Sequence, residues 1–289
     1  YEQCIARTNE WLQRATNPGS TPYILLGQSY YQLKRYREAV APVEKAIEIA
    51  GAQGKAVQES WYLLLRVFHY ELGEYGKVIE VLQRLVAAFP RPEYWKQLAA
   101  MYGEKGDDKR RLAAYDVAYQ QGALTTESEH VMFGQLLIQA GAPYQGARVI
   151  RAGIESGVIA KTADNYRLLS QALTLAKEDA DAIAALKSAA ALSNDGELDA
   201  RLAQSYLNLD RWKEAAESAR AALGKGVDRS DQVQVLLGMA LFEMDQYAAA
   251  KDAFRKAQSA PGSQKAASQW IAFIDREQER LAALSGALP

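Results

Sequence analysis

Residues 20–53 read STPYILLGQSYYQLKRYREAVAPVEKAIEIAGAQ. Large side chains stand at Tyr23, Leu26 and Tyr30, a helical spacing with one buried face. Lys34-Arg35-Tyr36 marks a turn, and Ala39, Val43 and Ala46 repeat the helical spacing beyond it. Small residues at Gly27, Ala39 and Ala46 let two helix backbones approach closely. The stretch therefore predicts two antiparallel helices joined by a short turn, with Thr21 as N-cap and Pro22 in the first turn.

The same pattern returns along the chain. Repeats are expected over 20–53, 58–90, 92–122, 127–157, 163–194, 196–226 and 231–261, in one continuous domain. Residues 1–16 have the spacing of a second helix alone, a half repeat, and predict that this is a fragment of a longer chain. Residues 263–282 predict a capping helix, with Trp270, Phe273, Ile274 and Leu281 on one side and charges on the other. Thr126 and Glu129 form a capping-box pattern.

Two repeats need a choice of register. Counting back from Tyr75 puts Arg66 at the small, close-contact position and His69 where Tyr30 stands in the first repeat. A buried arginine there is costly without a partner. A turn one residue longer instead buries Trp61, Leu64, Leu65 and Phe68 and directs Arg66 and His69 to the opposite face. The longer turn is the expectation, and Gly141-Ala142-Pro143-Tyr144 is read in the same way. Arg111 also stands where a small residue is usual.

A period of about 34 residues with this distribution of large and small positions resembles the tetratricopeptide repeat. Trp95, Leu98, Ala99 and Tyr102 match the signature of its first helix well. The resemblance implies an all-α fold, a right-handed α-solenoid of helix hairpins with a C-terminal capping helix.

Composition narrows the function. Lys and Arg total 34 against 35 Asp and Glu, which lacks the basic footprint of a nucleic-acid binder. The single cysteine, Cys4, excludes an internal disulfide framework and a thiolate metal cluster. No apolar run reaches membrane-spanning length. The two histidines, His69 and His130, lie in different repeats without a second plausible ligand. No nucleophile elbow, phosphate loop or dinucleotide fingerprint is present. The expectation is a protein with no catalytic residues, no metal and no cofactor.

A binding groove remains. In tetratricopeptide arrays the first helices line a concave face. The ninth position of those helices reads Gln28, Arg66, Ala100, Gln135, Gln171, Gln204 and Met239. An amide both donates and accepts, which suits the backbone of an extended peptide. Nearby lie Tyr31, Tyr62, His69, Tyr70, Lys96 and Arg167, including residue types common at binding hot spots. The expected partner-binding residues are Gln28, Tyr31, Tyr62, Arg66, His69, Lys96, Gln135, Arg167, Gln171 and Gln204. The expected partner is a protein or peptide segment, not nucleic acid and not a membrane. A chaperone-type carboxylate clamp is argued against, because asparagine is missing from the ninth position.

Several stretches resemble a narrower group. YILLGQSYYQL at 23–33, WYLLLR at 61–66, LSNDGEL at 192–198, QSYLNL at 204–209 and LLGMALF at 236–242 are similar to tetratricopeptide proteins encoded beside TonB, ExbB and ExbD genes in proteobacteria. That resemblance implies a periplasmic accessory component of TonB-dependent outer-membrane uptake, its signal peptide lying before the fragment. The alternatives are an envelope assembly factor without a TonB role, or the regulatory arm of an enzyme whose catalytic domain lies elsewhere.

Overall fold

A computed structural model describes residues 1–286. Among them are sixteen α-helices and no strand. The chain divides into two compact units, Tyr1–Thr125 and Thr126 onward.

The first unit holds α1 (Glu2–Arg14), α2 (Ser20–Gln32), α3 (Tyr36–Ala52), α4 (Glu59–Glu71), α5 (Tyr75–Ala88), α6 (Pro92–Glu104) and α7 (Asp108–Gln120). Each helix packs on the next, so every hairpin is both a unit and a neighbour. In the α2–α3 hairpin, Ala39, Val43 and Ala46 are wholly buried opposite Leu26 and Gly27. A Cβ on Gly27 would lie 2.3 Å from Val43 Cγ2, which shows how close the helices run. The start of α2 differs from expectation. Gly19 is the N-cap, and Ser20 Oγ donates to Ala46 O at 2.9 Å, anchoring the first turn to α3. Pro22 still falls among first-turn amides that have no intrahelical partner.

The second unit holds α8 (Glu127–Gln139), α9 (Pro143–Ser156), α10 (Ala163–Leu175), α11 (Asp179–Leu192), α12 (Glu197–Leu207), α13 (Trp212–Lys225), α14 (Ser230–Glu243), α15 (Tyr247–Gln258) and α16 (Gln264–Gly286). The capping box at the start of α8 forms: Thr126 N–H donates to Glu129 Oε2 at 3.0 Å, and Glu129 N–H to Thr126 Oγ1 at 3.4 Å. One continuous core runs from Ile183 through Tyr206, Leu237 and Phe254 to Ile274. The α16 helix closes it, with Ile274 wholly buried and Trp270 stacked on Phe254 at 5.4 Å. Phe273 and Leu281 do not share that burial and are 43% and 38% exposed. Phe273 instead lies at the edge of the cluster, 5.4 Å from Phe242.

The hairpin turns follow one rule. In each, the residue two places before the second helix adopts a left-handed conformation: Lys34, Gly73, Gly106, Gly141, Lys177, Asp210 and Asp245. The next amide then reaches back into the last turn of the first helix, as in Arg35 N–H to Tyr30 O, Glu74 N–H to His69 O and Ala142 N–H to Leu137 O, each at 2.9 Å. This is the Schellman closure of a helix end. Its constancy overturns the expectation of two longer turns. Tyr75 and Pro143 open their second helices at the same spacing as Tyr36 does in the first repeat.

Candidate functional site

The constant turn fixes the register of α4. Arg66 occupies the close-contact position that is Gly27, Ala99, Gly134, Ser170, Ala203 and Gly238 in the other hairpins. His69 takes the place of Tyr30 and is only 5% exposed, so it is a core residue and does not face a groove. Its Nδ1 sits 2.7 Å from Glu74 Oε2, a carboxylate at the N-cap of α5, which satisfies a polar ring inside the hairpin. The expectation fails because it assumes that no arginine is tolerated at the tight contact. The fold accommodates Arg66 by opening the hairpin: α4 and α5 are the least closely packed of the seven pairs.

A cavity of about 300 Å³ lies among α4, α5 and α6. Val67 and Tyr70 of α4, Val78 and Leu82 of α5, and Ala100 and Met101 of α6 line it, with Arg66, Glu71 and Gln97 as its polar members. Arg66 Nη1 donates to Gln97 Oε1, tying α4 to α6. At the start of the same helices, Glu59 accepts from Tyr94 Oη and pairs with Arg91 at 2.7 Å. Burial, and next the hydrogen bond to Glu59, push the Tyr94 phenol up to about 12. These contacts tie the start and the middle of α6 to α4.

The other predicted residues of this unit are spread out. Gln28 is exposed on α2. Tyr31 is 37% exposed, with its ring 5.8 Å from Phe68 of α4. Tyr62 is half-buried, edge-on to Phe89 at 6.4 Å. Lys96 is half-buried on α6. Arg66 and Tyr70 therefore share the cavity, whereas Gln28 and Lys96 do not line it. Of the other lining residues, Ala100 is named by the ninth-position spacing, whereas Val67, Gln97 and Met101 are not.

In the second unit, Gln135, Gln171 and Gln204 are exposed at the same position of α8, α10 and α12. Gln204 donates to Asn208 Oδ1 at 2.9 Å, one turn on. Arg167 is exposed and paired with Asp164 at 2.7 Å. A second opening of about 290 Å³ lies among α10, α11 and α12, lined by Ser170, Thr174, Ile183, Leu186, Ser205 and Leu209 among others. Among the described residues no group of three or more His, Cys, Asp or Glu could hold a metal ion. No helix among them is long and apolar enough to cross a membrane.

Solved structures similar to this chain include a MamA protein, at 17% identity over 60% of this chain and 93% of that one, with a TM-score of 0.47. YrrB, described as a TPR protein with an unusual peptide-binding site, is 15% identical over 66% of this chain and 97% of its own, with a TM-score of 0.48. The TPR2AB domain of yeast Sti1, solved in a pHSP90 complex, is 16% identical over 89% of this chain and 98% of its own, with a TM-score of 0.41. No curated protein matches in sequence. The tetratricopeptide repeat family model matches residues 21–53 and 231–262, the α2–α3 and α14–α15 hairpins. Those two hairpins thus match the tetratricopeptide repeat, and the other five close their turns with the same backbone geometry.

Proposed function

We propose that this protein is a non-catalytic scaffold that holds an extended protein or peptide segment against the first helices of its hairpins. The observation that carries this reading is the exposure of Gln135, Gln171 and Gln204 at one position of three successive first helices. A solvent-facing amide repeated at that spacing offers a donor and an acceptor to each stretch of an extended backbone. Gln28, exposed on α2, presents the same chemistry in the first unit.

The stretches at 23–33, 192–198, 204–209 and 236–242 direct the proposal further. Through their resemblance, the segment belongs to a component of a TonB-dependent uptake system, and the protein acts in the periplasm. The test is a crosslinked pull-down of the tagged protein from its own cells, read by mass spectrometry. Enrichment of TonB-system proteins, lost when Gln135, Gln171 and Gln204 are all replaced by Glu, supports the proposal. Enrichment of cytosolic proteins overturns the TonB and periplasmic parts. Capture that is indifferent to the triple substitution overturns the role of the amides.

A further inference from the structure

The cavity beside Arg66 lies at the one hairpin whose close-contact position on the first helix carries a long, charged side chain. It lies among α4, α5 and α6, with the buried Val78 and Leu82 of α5 at its floor. Val67 and Tyr70 form one wall, and Ala100 and Met101 the other. About 300 Å³ is the lower end of ligand-pocket volumes and suits one side chain better than an extended ligand. Its apolar lining gains when water is replaced by hydrocarbon.

The charge at this cavity indicates what accompanies that side chain. Among the described residues Arg66 makes no ion pair; its hydrogen bond goes to the neutral amide of Gln97. A guanidinium has five N–H donors, so most of its fork remains to receive a carboxylate. Glu71 also lines the cavity, further along α4, where it disfavours a second acidic group. Tyr70, 53% exposed, extends the apolar surface outward from the cavity.

We propose that this cavity is an anchor site for a peptide whose large apolar residue fills the gap while an adjacent acidic residue pairs with Arg66. The proposal rests on the scaffold reading above and names the chemistry of one segment that it holds. Arg66 is then a specificity residue: it lines the space, and its charge selects the neighbour.

The test uses the full chain labelled with ¹³C-methyl methionine, which reports Met101 in the cavity and Met132, Met239 and Met244 elsewhere. The probes are hexapeptides Gly-Ser-X-Z-Ser-Gly, with X as Phe, Leu or Ala and Z as Asp, Asn or Lys. The Phe-Asp peptide should shift the Met101 methyl, and Ala at X should weaken binding about thirtyfold, as for a lost hot spot. Lys at Z should weaken it about tenfold. Arg66→Met keeps a long stem and should bind Asp and Asn peptides alike. Arg66→Ala removes stem and charge together, so it should weaken the Met101 shift and lose the Asp preference while leaving the helical signal intact. Peptides that shift other methionines and leave Met101 still would overturn the anchor site but not the scaffold. Unchanged Asp preference in Arg66→Met would overturn the role of the charge. Absence of binding by every peptide would overturn the anchor site, and the pull-down would still judge the scaffold separately.

Discussion

Arg66 and Arg111 show two ways of placing an arginine where helices meet. Arg111, on α7, lies over Gly103 of α6, where an added Cβ would stand 3.2 Å from the Arg111 Nε. There a small residue on the opposite helix makes room, and the hairpin stays tight. Opposite Arg66 stand Val78 and Leu82, which give no such room, and the hairpin opens. The reverse constraint appears at Gly146 of α9. Its added Cβ would sit 2.6 Å from the backbone oxygen of Gly134, a group that cannot rotate aside. Gly146→Ala should therefore cost about 1–3 kcal/mol, read as a lower urea midpoint with an unchanged slope. Tyr94 supplies a pH test. Its phenol is raised from 10.0 to about 12 in the fold, so the unfolded chain ionises first. The contribution is whole below pH 10 and is lost as the pH rises towards 12. Wild type should lose more stability over that window than Tyr94→Phe; parallel curves would show that the buried phenol has no such role.

At the level of the hairpin, the all-α repeat was legible because helical spacing and small contact positions are local properties of the sequence. The Thr126–Glu129 capping box was legible for the same reason. The register of α4 was not, since a rule against arginine at a tight contact takes the neighbouring helix as fixed. The chain keeps its turn and gives up the tight contact instead. Three of the residues placed on the groove from sequence depend on that register: Tyr62, Arg66 and His69. The exposed glutamines follow from helical period alone, while the cavity arises from a tertiary gap that no spacing reveals. The turn that survives is itself testable. Gly106 supplies the left-handed residue between α6 and α7, with φ at 69°. An L side chain there costs about 1–2 kcal/mol, and Gly106→Ala should lower the melting temperature accordingly. Lys177 holds the equivalent place between α10 and α11 at φ 63°, and Lys177→Gly should relieve most of that strain. Equal melting temperatures for both variants and wild type would show that these turns do not limit stability.

For the whole molecule, repeat packing means that stability within each unit is a sum of hairpin terms and nearest-neighbour terms. The terms are unequal. In the second unit, buried aromatic packing concentrates at α14–α16 around Phe254 and Trp270. In the first, the α4–α5 pair is held by fewer close approaches than its neighbours α2–α3 and α6–α7. That opening acts in time as well as in space. Loosely joined segments open locally before the rest of a domain does. Backbone amides of α4 and α5 should exchange with deuterated solvent sooner than those of α2 and α3, and a bound peptide should slow them. If Arg66 is what loosens the pair, Arg66→Ala should slow them without any ligand. The residue that meets a guest's charge would then also set how often that part of the chain breathes when no guest is there.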